Sequence, residues 1–317
     1  MSLRPGGLVL RAGLELGDAL VGLLPSRAAY AMADRLGLAW YRFAPARRRL
    51  VAANLARVCA ATGRPVNGTE LRRLVGAAFV AHARYYLEVI RLPRHGRRDI
   101  DHMLVLDDAA GVEALARTGG VIGVSAHFGN FEPGAIWLAA RGLRWVAPVE
   151  RIEPPELFAY LRSRRGAGSV GGEMVAPPSG RRVLHGLRHG ELVAIAADRD
   201  LSGSGVVVSF FGHPARVPDG PATLAVLTGA PVVVGTIRRT APNRFAARTD
   251  LVAWTPTGNR RADVAALTQR ITDVLADHIA RAPEQWWGAF QPIWADLTPD
   301  QLPDQLHDLL ADGRGRA

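Results

Sequence analysis

His127 and Glu132 are the two residues of this 317-residue chain whose types and spacing most directly suggest chemistry. A histidine held by a carboxylate keeps one tautomer, and its other ring nitrogen can then take a proton from a hydroxyl. Gly129 lies between the two residues and allows a sharp turn that would bring the Glu132 carboxylate to the imidazole. The pair therefore predicts a general base, and the attacking hydroxyl is expected to come from the substrate.

The segment around this pair has the pattern of a strand, a turn and a helix. The apolar run GVIGVSA (120–126) precedes His127, and Pro133, a residue suited to a first helical turn, follows Glu132. His127 should then stand at the carboxyl end of a strand, where ligands collect in open α/β sheets. A structural alternative stays open, in which His127 only caps the helix and Glu132 interacts with the helix dipole.

Short apolar runs alternate with helical stretches from about residue 101 onward. The runs are MLVL (103–106), GVIGVSA (120–126), RWVAPV (144–149), ELVAIAAD (191–198), GVVVSFF (205–211) and PVVVGTI (231–237). Runs of this length suit strands that are covered on both faces. The predicted fold class is therefore α/β, with a mixed, largely parallel central sheet flanked by helices. Helices are predicted at 108–117, 133–141, 155–165, 220–228 and 262–281, and one further strand within 242–254.

The N-terminal part is predicted to be helical, with helices at 6–24, about 27–43, about 46–61 and about 69–91. We expect one domain over residues 1–317. It comprises this helical region (1–95), an α/β core (96–295) and a polar tail (296–317).

The first helix is amphipathic with a wide apolar face. Its charged residues Arg11, Glu15 and Asp18 share one narrow stripe. The helix could pack on the protein's own core or lie in a lipid interface, and both interpretations stay open. The aromatic-basic cluster at 40–43 and the three arginines at 47–49 suit anionic headgroups and favour the interface. No run reaches the roughly 18 uncharged apolar residues needed to span a bilayer.

The charge balance predicts a polyanionic partner. Lys and Arg total 39 against 29 Asp and Glu, a net charge of +10, which attracts nucleic acid, anionic lipid or a phosphate-rich cofactor. The aromatic-basic modules of common RNA binders are missing, so no nucleic acid is expected.

The single cysteine, Cys59, excludes a disulfide framework within the chain and is expected to be a buried structural thiol. No metal is expected, because His185 and His189 lack an obvious third ligand.

Further polar residues are predicted at strand ends. Glu150 follows the run RWVAPV, and Asp198, Arg199 and Asp200 end the run ELVAIAAD. Arginines there, or at 162–165, could bind phosphates through forked hydrogen bonds, and the aspartates could bind sugar hydroxyls. A solvated basic helix face and a structural ion-pair cluster remain the alternatives.

Several motifs resemble one enzyme family. His-x4-Glu is similar to the His-x4-Asp/Glu signature of the lysophospholipid acyltransferase superfamily. The segments HFGNFE (127–132), ADRD (197–200), FFGHPARVPDGPATLAVLTGAPV (210–232) and PEQWWGAF (283–290) resemble the branch that contains the lipid A late acyltransferases and the phosphatidylinositol mannoside acyltransferases of actinobacteria. The arginine-rich, lysine-free composition favours the mannoside enzymes.

This resemblance implies a specific reaction. A palmitoyl group would pass from its coenzyme A thioester to a mannose hydroxyl of a phosphatidylinositol mannoside, with His127 and Glu132 as catalytic pair and no permanently bound cofactor. It matches Arg165 with a family arginine near the site and implies three partners: acyl-CoA, a glycolipid acceptor and an anionic membrane surface. The enzyme would be peripheral on the cytoplasmic face of the cell membrane.

Other functions remain as alternatives at this point. The acceptor could be another glycolipid or a lysophospholipid, or the chain could bind anionic lipid or nucleic acid without catalysis. A serine hydrolase is disfavoured, since the sequence has no Gly-x-Ser-x-Gly elbow.

Overall fold

The computed structural model describes residues 5–64, 67–92, 99–150, 153–164, 171–200 and 203–297. Four helices come first: α1 (Pro5–Leu23), α2 (Ser26–Phe43), α3 (Pro45–Ala61) and α4 (Gly68–Arg91). Asn67 starts α4 with a capping box, in which its side-chain oxygen accepts from the amides of Thr69 and Glu70 while the Glu70 carboxylate accepts from the amide of Asn67. The four predicted helices are confirmed, with ends that differ by one residue.

Nine strands lie within the described residues. They are β1 (Leu104–Leu106), β2 (Val121–Ser125), β3 (Trp145–Pro148), β4 (Gly172–Val175), β5 (Leu192–Ala196), β6 (Val206–Phe210), β7 (His213–Val217), β8 (Val232–Ala241) and β9 (Arg244–Leu251). Seven of them form the central sheet in the order β1-β9-β8-β2-β5-β3-β4. All neighbours in it are parallel except β8 and β9, which form an antiparallel pair. The predicted mixed, largely parallel sheet is confirmed.

The run GVVVSFF was expected in the central sheet, and that expectation is wrong. It forms β6, which pairs with β7 in a separate antiparallel hairpin. Phe211 and Gly212, both at positive φ, form the turn between the two strands. Because only one face of the hairpin packs on the core, Val207 is 59% exposed, and a continuous apolar run does not report burial on both faces here.

The described part of the chain has seven further helices, of which α5 comes before β1 and the others lie between or after the strands: α5 (Ile100–Met103), α6 (Ala109–Thr118), α7 (Glu132–Ala140), α8 (Pro155–Arg164), α9 (Gly180–Arg188), α10 (Gly220–Thr228) and α11 (Arg260–Ala280). Two short 3-10 turns follow at Pro283–Gln285 and Trp287–Phe290. The helices predicted from periodicity are confirmed, whereas β4 and β7 were not predicted. The tail beyond residue 297 lies outside the described residues.

The main core joins the helical region to the sheet. Buried residues of α3 and α4 lie in one cluster with β2, β8 and α11, around the fully buried Trp286 and Trp294. Burying a large apolar side chain stabilises a fold by about 1.5–3 kcal/mol. This packing fixes the edge of the sheet at which His127 lies.

Helix α1 turns its leucines outward. Leu16, Leu20 and Leu23 are 62%, 57% and 82% exposed, whereas Asp18 of the predicted polar stripe is 4% exposed. The helix packs on α4 and α8. In the part of the chain that the structure describes, no helix has the length and apolar character required to cross a membrane.

Candidate functional site

Parallel pairing of β2 and β5 creates the centre of the site. Ser125, the last residue of β2, pairs with Ala196, the last residue of β5. His127 and Asp198 each lie two residues beyond these partners, so the register of the sheet places them side by side. Both stand at the carboxyl edge of the sheet, where His127 was predicted to lie.

His127 is held by Asp198. Its Nδ1 lies 2.6 Å from Oδ1 of Asp198, and its backbone amide donates to the same oxygen at 3.0 Å. The second carboxylate oxygen accepts from the indole N–H of Trp286 at 2.8 Å. An ionised carboxylate only accepts hydrogen bonds, so the proton between the two side chains belongs on Nδ1. The Nε2 atom is thereby left as the acceptor, which is the tautomer that a general base requires.

Asp198 is ionised despite its burial. Burial alone would raise its pKa, but the neighbouring His127 and the hydrogen bonds from His127 and Trp286 hold the pKa below its ordinary value of 3.8. A carboxyl group whose pKa is lowered by folding stabilises the fold. The stabilisation is fully present at pH values above the pKa that the group has in the unfolded state. This stabilisation is lost as the pH falls through the lowered pKa.

The spacing predicted that the Glu132 carboxylate would reach the His127 imidazole, but the carboxylate at Nδ1 is that of Asp198. Glu132 is the first residue of α7 and is 2% exposed, and its amide donates to Oδ1 of Asn130 at 3.0 Å. Its side chain lines a cavity on one face of the sheet. The turn after His127 thus directs Glu132 into the start of α7, while the sheet register supplies a different carboxylate.

The segment 283–290 packs across the His127 loop. Gly129 donates its amide to the carbonyl of Gln285 at 2.8 Å, and Gly288 donates to the carbonyl of His127 at 3.0 Å. A Cβ at Gly288 would lie 2.3 Å from Oδ2 of Asp198, so only glycine fits there. Trp286 of this segment is fully buried and also donates its indole N–H to Asp198.

Gly129 and Asn130 fix the loop on its other side. Gly129 has φ +54°, and a Cβ there would lie 1.9 Å from the carbonyl oxygen of Ile237. Asn130 is fully buried, and its backbone N–H donates to that same carbonyl at 2.9 Å. The loop therefore rests directly on β8, which explains why Gly and Asn stand between His127 and Glu132.

A buried ion pair lies beneath Asn130. Glu88 of α4 and Arg239 of β8 are 1% and 4% exposed at their side chains and bind through two contacts, from Nε to Oε1 and from Nη2 to Oε2 at 2.9 Å. Oε2 of Glu88 also accepts from the side chain of Asn130 at 3.0 Å. Gln285 binds the backbone of Arg239 through both its amide atoms, at 2.7 and 2.9 Å. The pair was missed from the sequence, although Glu88 is a charged residue on a mainly apolar helix face.

An apolar cavity of about 240 Å³ adjoins the site. It lies between the sheet and helices α6 and α7, and small residues such as Gly123, Ala194 and Gly235 form part of its floor. It reaches Ser125 and Ala196, the last residues before the loops that carry His127 and Asp198. The space is suited to an aliphatic chain whose reactive end lies near His127.

The other predicted binding residues lie at or near the same edge. Nη2 of Arg199 donates to Oε2 of Glu150 at 2.8 Å, so the ends of β3 and β5 are joined by an ion pair. Oδ2 of Asp200 accepts a hydrogen bond from the amide of Gly205, the residue before β6, at 2.8 Å. Arg165 lies outside the described residues.

No group of three or more His, Cys, Asp or Glu side chains that could hold a metal occurs among the described residues. The rings of His185 and His189 stack at 3.9 Å on the exposed end of α9. Cys59 is 1% exposed within α3, and burial raises the pKa of its thiol. None of these groups lies in the His127 site.

Comparison with known proteins agrees with this architecture. Residues 14–294 match the family described as bacterial lipid A biosynthesis acyltransferase. A phosphatidylinositol mannoside acyltransferase from Mycolicibacterium smegmatis is 31% identical over 319 residues, covering 93% of this chain and 95% of that protein. One from Mycobacterium tuberculosis is 32% identical over 237 residues, covering 71% and 72%. The chain therefore belongs to the lipid A biosynthesis acyltransferase family and is an acyltransferase.

Proposed function

We propose that this acyltransferase moves a long-chain acyl group from acyl-CoA to a mannose hydroxyl of a phosphatidylinositol mannoside, with palmitoyl-CoA as the donor. The observation that carries the proposal is the His127–Asp198 contact beside an apolar cavity that reaches Ser125 and Ala196. The names of the mycobacterial relatives support the acceptor. Acyl-CoA and the acceptor are the substrates, free coenzyme A is a product, and no permanently bound cofactor takes part.

In the proposed reaction, Nε2 of His127 takes the proton of the mannose hydroxyl as its oxygen attacks the thioester carbonyl. Asp198 stabilises the imidazolium that forms. The tetrahedral intermediate then breaks its C–S bond, and the imidazolium returns the proton to the departing thiolate of coenzyme A. The acyl group passes directly to the sugar oxygen, and no covalent acyl-enzyme forms.

Release of coenzyme A tests this function. With palmitoyl-CoA and a phosphatidylinositol mannoside, we expect thiol release that depends on the acceptor and one acyl chain added per thiol. A panel with a lysophospholipid and a different glycolipid tests the acceptor. Salt-sensitive oligonucleotide binding without thiol release would instead support the non-catalytic alternative.

The cavity predicts a chain-length effect for Gly235→Leu. Gly235 lines the cavity, and a Cβ there would lie at ordinary contact distance, 3.6 Å, from Cγ2 of Thr249. The variant should therefore fold normally, and the leucine side chain should occupy cavity space that a long acyl chain needs. We expect kcat/KM for palmitoyl-CoA to fall about 10- to 100-fold relative to decanoyl-CoA. Val105→Leu, at a strand position 67% exposed and outside the cavity, is the control, and an unchanged preference in Gly235→Leu would place the chain elsewhere.

We also propose that the protein binds an anionic membrane surface, on the cytoplasmic face where the coenzyme A thioester is supplied. Support comes from the exposed leucines of α1 and from Leu36 and Phe43 of α2, which are 59% and 82% exposed. Exposed arginines at positions 27, 35 and 42 lie on α2 with these apolar residues. Apolar side chains beside cations suit an interface with anionic lipid.

Replacing Leu16, Leu20 and Leu23 with serine tests this surface. We expect the triple variant to sediment less with vesicles that contain anionic lipid, because burial of the leucines between the headgroups is lost. Leu227→Ser, on α10 and 51% exposed, should bind as the unmodified protein does. Equal sedimentation of all three proteins would argue against α1 as the membrane contact.

A further inference from the structure

An aromatic cluster lies beside His127 on the side of α4. The ring of Trp287 meets the His127 ring at a centroid distance of 4.7 Å and an angle of 80°. Tyr85 stacks on Trp287 at 4.8 Å, and the imidazole of His82 lies 5.7 Å from Trp287. Tyr86, which is 47% exposed, stacks almost parallel to His82 at 5.2 Å. We call these four residues, His82, Tyr85, Tyr86 and Trp287, the aromatic cage.

Two members of the aromatic cage carry polar atoms without a partner. His82 is 8% exposed, and neither of its ring nitrogens has a hydrogen-bond partner among the residues that the structure describes. The buried indole N–H of Trp287 also lacks one within that part of the chain. A buried unpaired polar group costs stability, so such groups call for a ligand or a function. Here they lie next to each other and next to the base.

The charge state of His82 restricts what could bind. Burial, together with the positive charge of the neighbouring Arg47 and the nearby His127, lowers its pKa to about 3. A neutral imidazole offers one donor and one acceptor, and the indole adds one donor. A hydroxyl group also donates and accepts, whereas a phosphate only accepts and is bound best by cations. The set therefore suits a neutral group that carries hydroxyls.

We propose that the aromatic cage binds the sugar ring of the acceptor, with His82 and Trp287 as hydrogen-bond partners of its hydroxyls. This inference rests on the proposed function and identifies the sugar-binding residues. Tyr86 separates His82 from solvent, and rotation of such an exposed side chain is fast. When the Tyr86 ring rotates away, the sugar takes its place over the His82 imidazole. Trp287 contacts both His82 and His127, and a sugar held there presents a neighbouring hydroxyl to Nε2.

Binding of the water-soluble head group tests the proposal without turnover. The deacylated glycolipid, a glycerophosphoinositol mannoside, is titrated calorimetrically into the protein, into His82→Phe and into Trp287→Phe. We expect Kd to rise roughly three- to tenfold in each variant, the effect of one lost hydrogen bond. Glycerophosphoinositol, which keeps the phosphate and lacks mannose, should bind His82→Phe as it binds the unmodified protein. His185→Phe, the same exchange at an exposed position, is the control.

Stability gives a second readout. Because His82→Phe removes two unpaired polar atoms from an aromatic environment, we expect its melting temperature to rise although head-group affinity falls. Unchanged affinity in His82→Phe, or no head-group binding by the unmodified protein, would overturn the proposal. So would a lower melting temperature with unchanged affinity, which would indicate an imidazole satisfied by buried water. If the unmodified protein bound the head group but showed no acceptor-dependent thiol release, the result would count against the proposed function alone.

Discussion

His127→Ala is expected to lower kcat for acceptor-dependent release of coenzyme A by on the order of 10²–10⁴-fold, the usual contribution of a general base. The Nε2 atom of the imidazole faces away from Asp198, and in the proposed reaction its removal leaves the mannose hydroxyl without a proton acceptor. The measurement is thiol release from palmitoyl-CoA with a phosphatidylinositol mannoside.

His127→Gln controls for loss of structure. In the alanine variant Asp198 keeps the amide of residue 127 and the indole of Trp286 but loses its shortest contact, so some destabilisation is expected. The amide of glutamine can still donate to Asp198 but cannot act as a base at neutral pH. Both variants should therefore be inactive while the glutamine variant keeps its melting temperature. A folded variant of either kind with near-normal kcat would contradict the account.

Asp198→Asn should lower kcat by on the order of 10³–10⁴-fold, as expected when a histidine is held in the wrong tautomer. Three donors converge on the two carboxylate oxygens: two from His127 and one from Trp286. An asparagine offers one oxygen and one NH₂ group. Since the NH₂ group is itself a donor, either the indole N–H or the N–H groups of His127 would face a second donor instead of an acceptor. The check is kcat at saturating acceptor, together with the melting temperature to confirm folding.

Glu132→Gln is the matched comparison for Asp198→Asn, because both exchanges replace a buried carboxylate by its amide. If Asp198 orients His127, the exchange at Asp198 should cost the larger factor in kcat. A larger loss in Glu132→Gln, with normal turnover in Asp198→Asn, would return the orienting role to Glu132.

Local patterns carried much of the fold prediction. The helices predicted at about 46–61 and about 69–91 are α3 and α4, and the apolar runs at 120–126 and 191–198 became neighbouring strands. These signals act over a few residues, so one sequence suffices to read them. The position of His127 at a strand end followed from the same evidence.

Contacts between distant segments could not be predicted in this way. Asp198 reaches His127 only because β5 pairs with β2 in one register, and a single sequence does not specify which strands pair. The same holds for Trp286 on Asp198 and for Glu88 with Arg239, which are 88 and 151 residues apart. The sequence therefore predicted the position of His127 at a strand end, while the residues that contact His127 emerged from the tertiary structure.

The central claim, direct acyl transfer by His127 held on Asp198, is tested most directly by counting both products. Palmitoyl-CoA and a phosphatidylinositol mannoside are incubated with the unmodified protein or with His127→Gln, and acylated glycolipid and free coenzyme A are quantified by mass spectrometry. We expect equal amounts of the two products from the unmodified protein and neither product above background from the variant. Coenzyme A released without acylated glycolipid, or equal yields from both proteins, would contradict it.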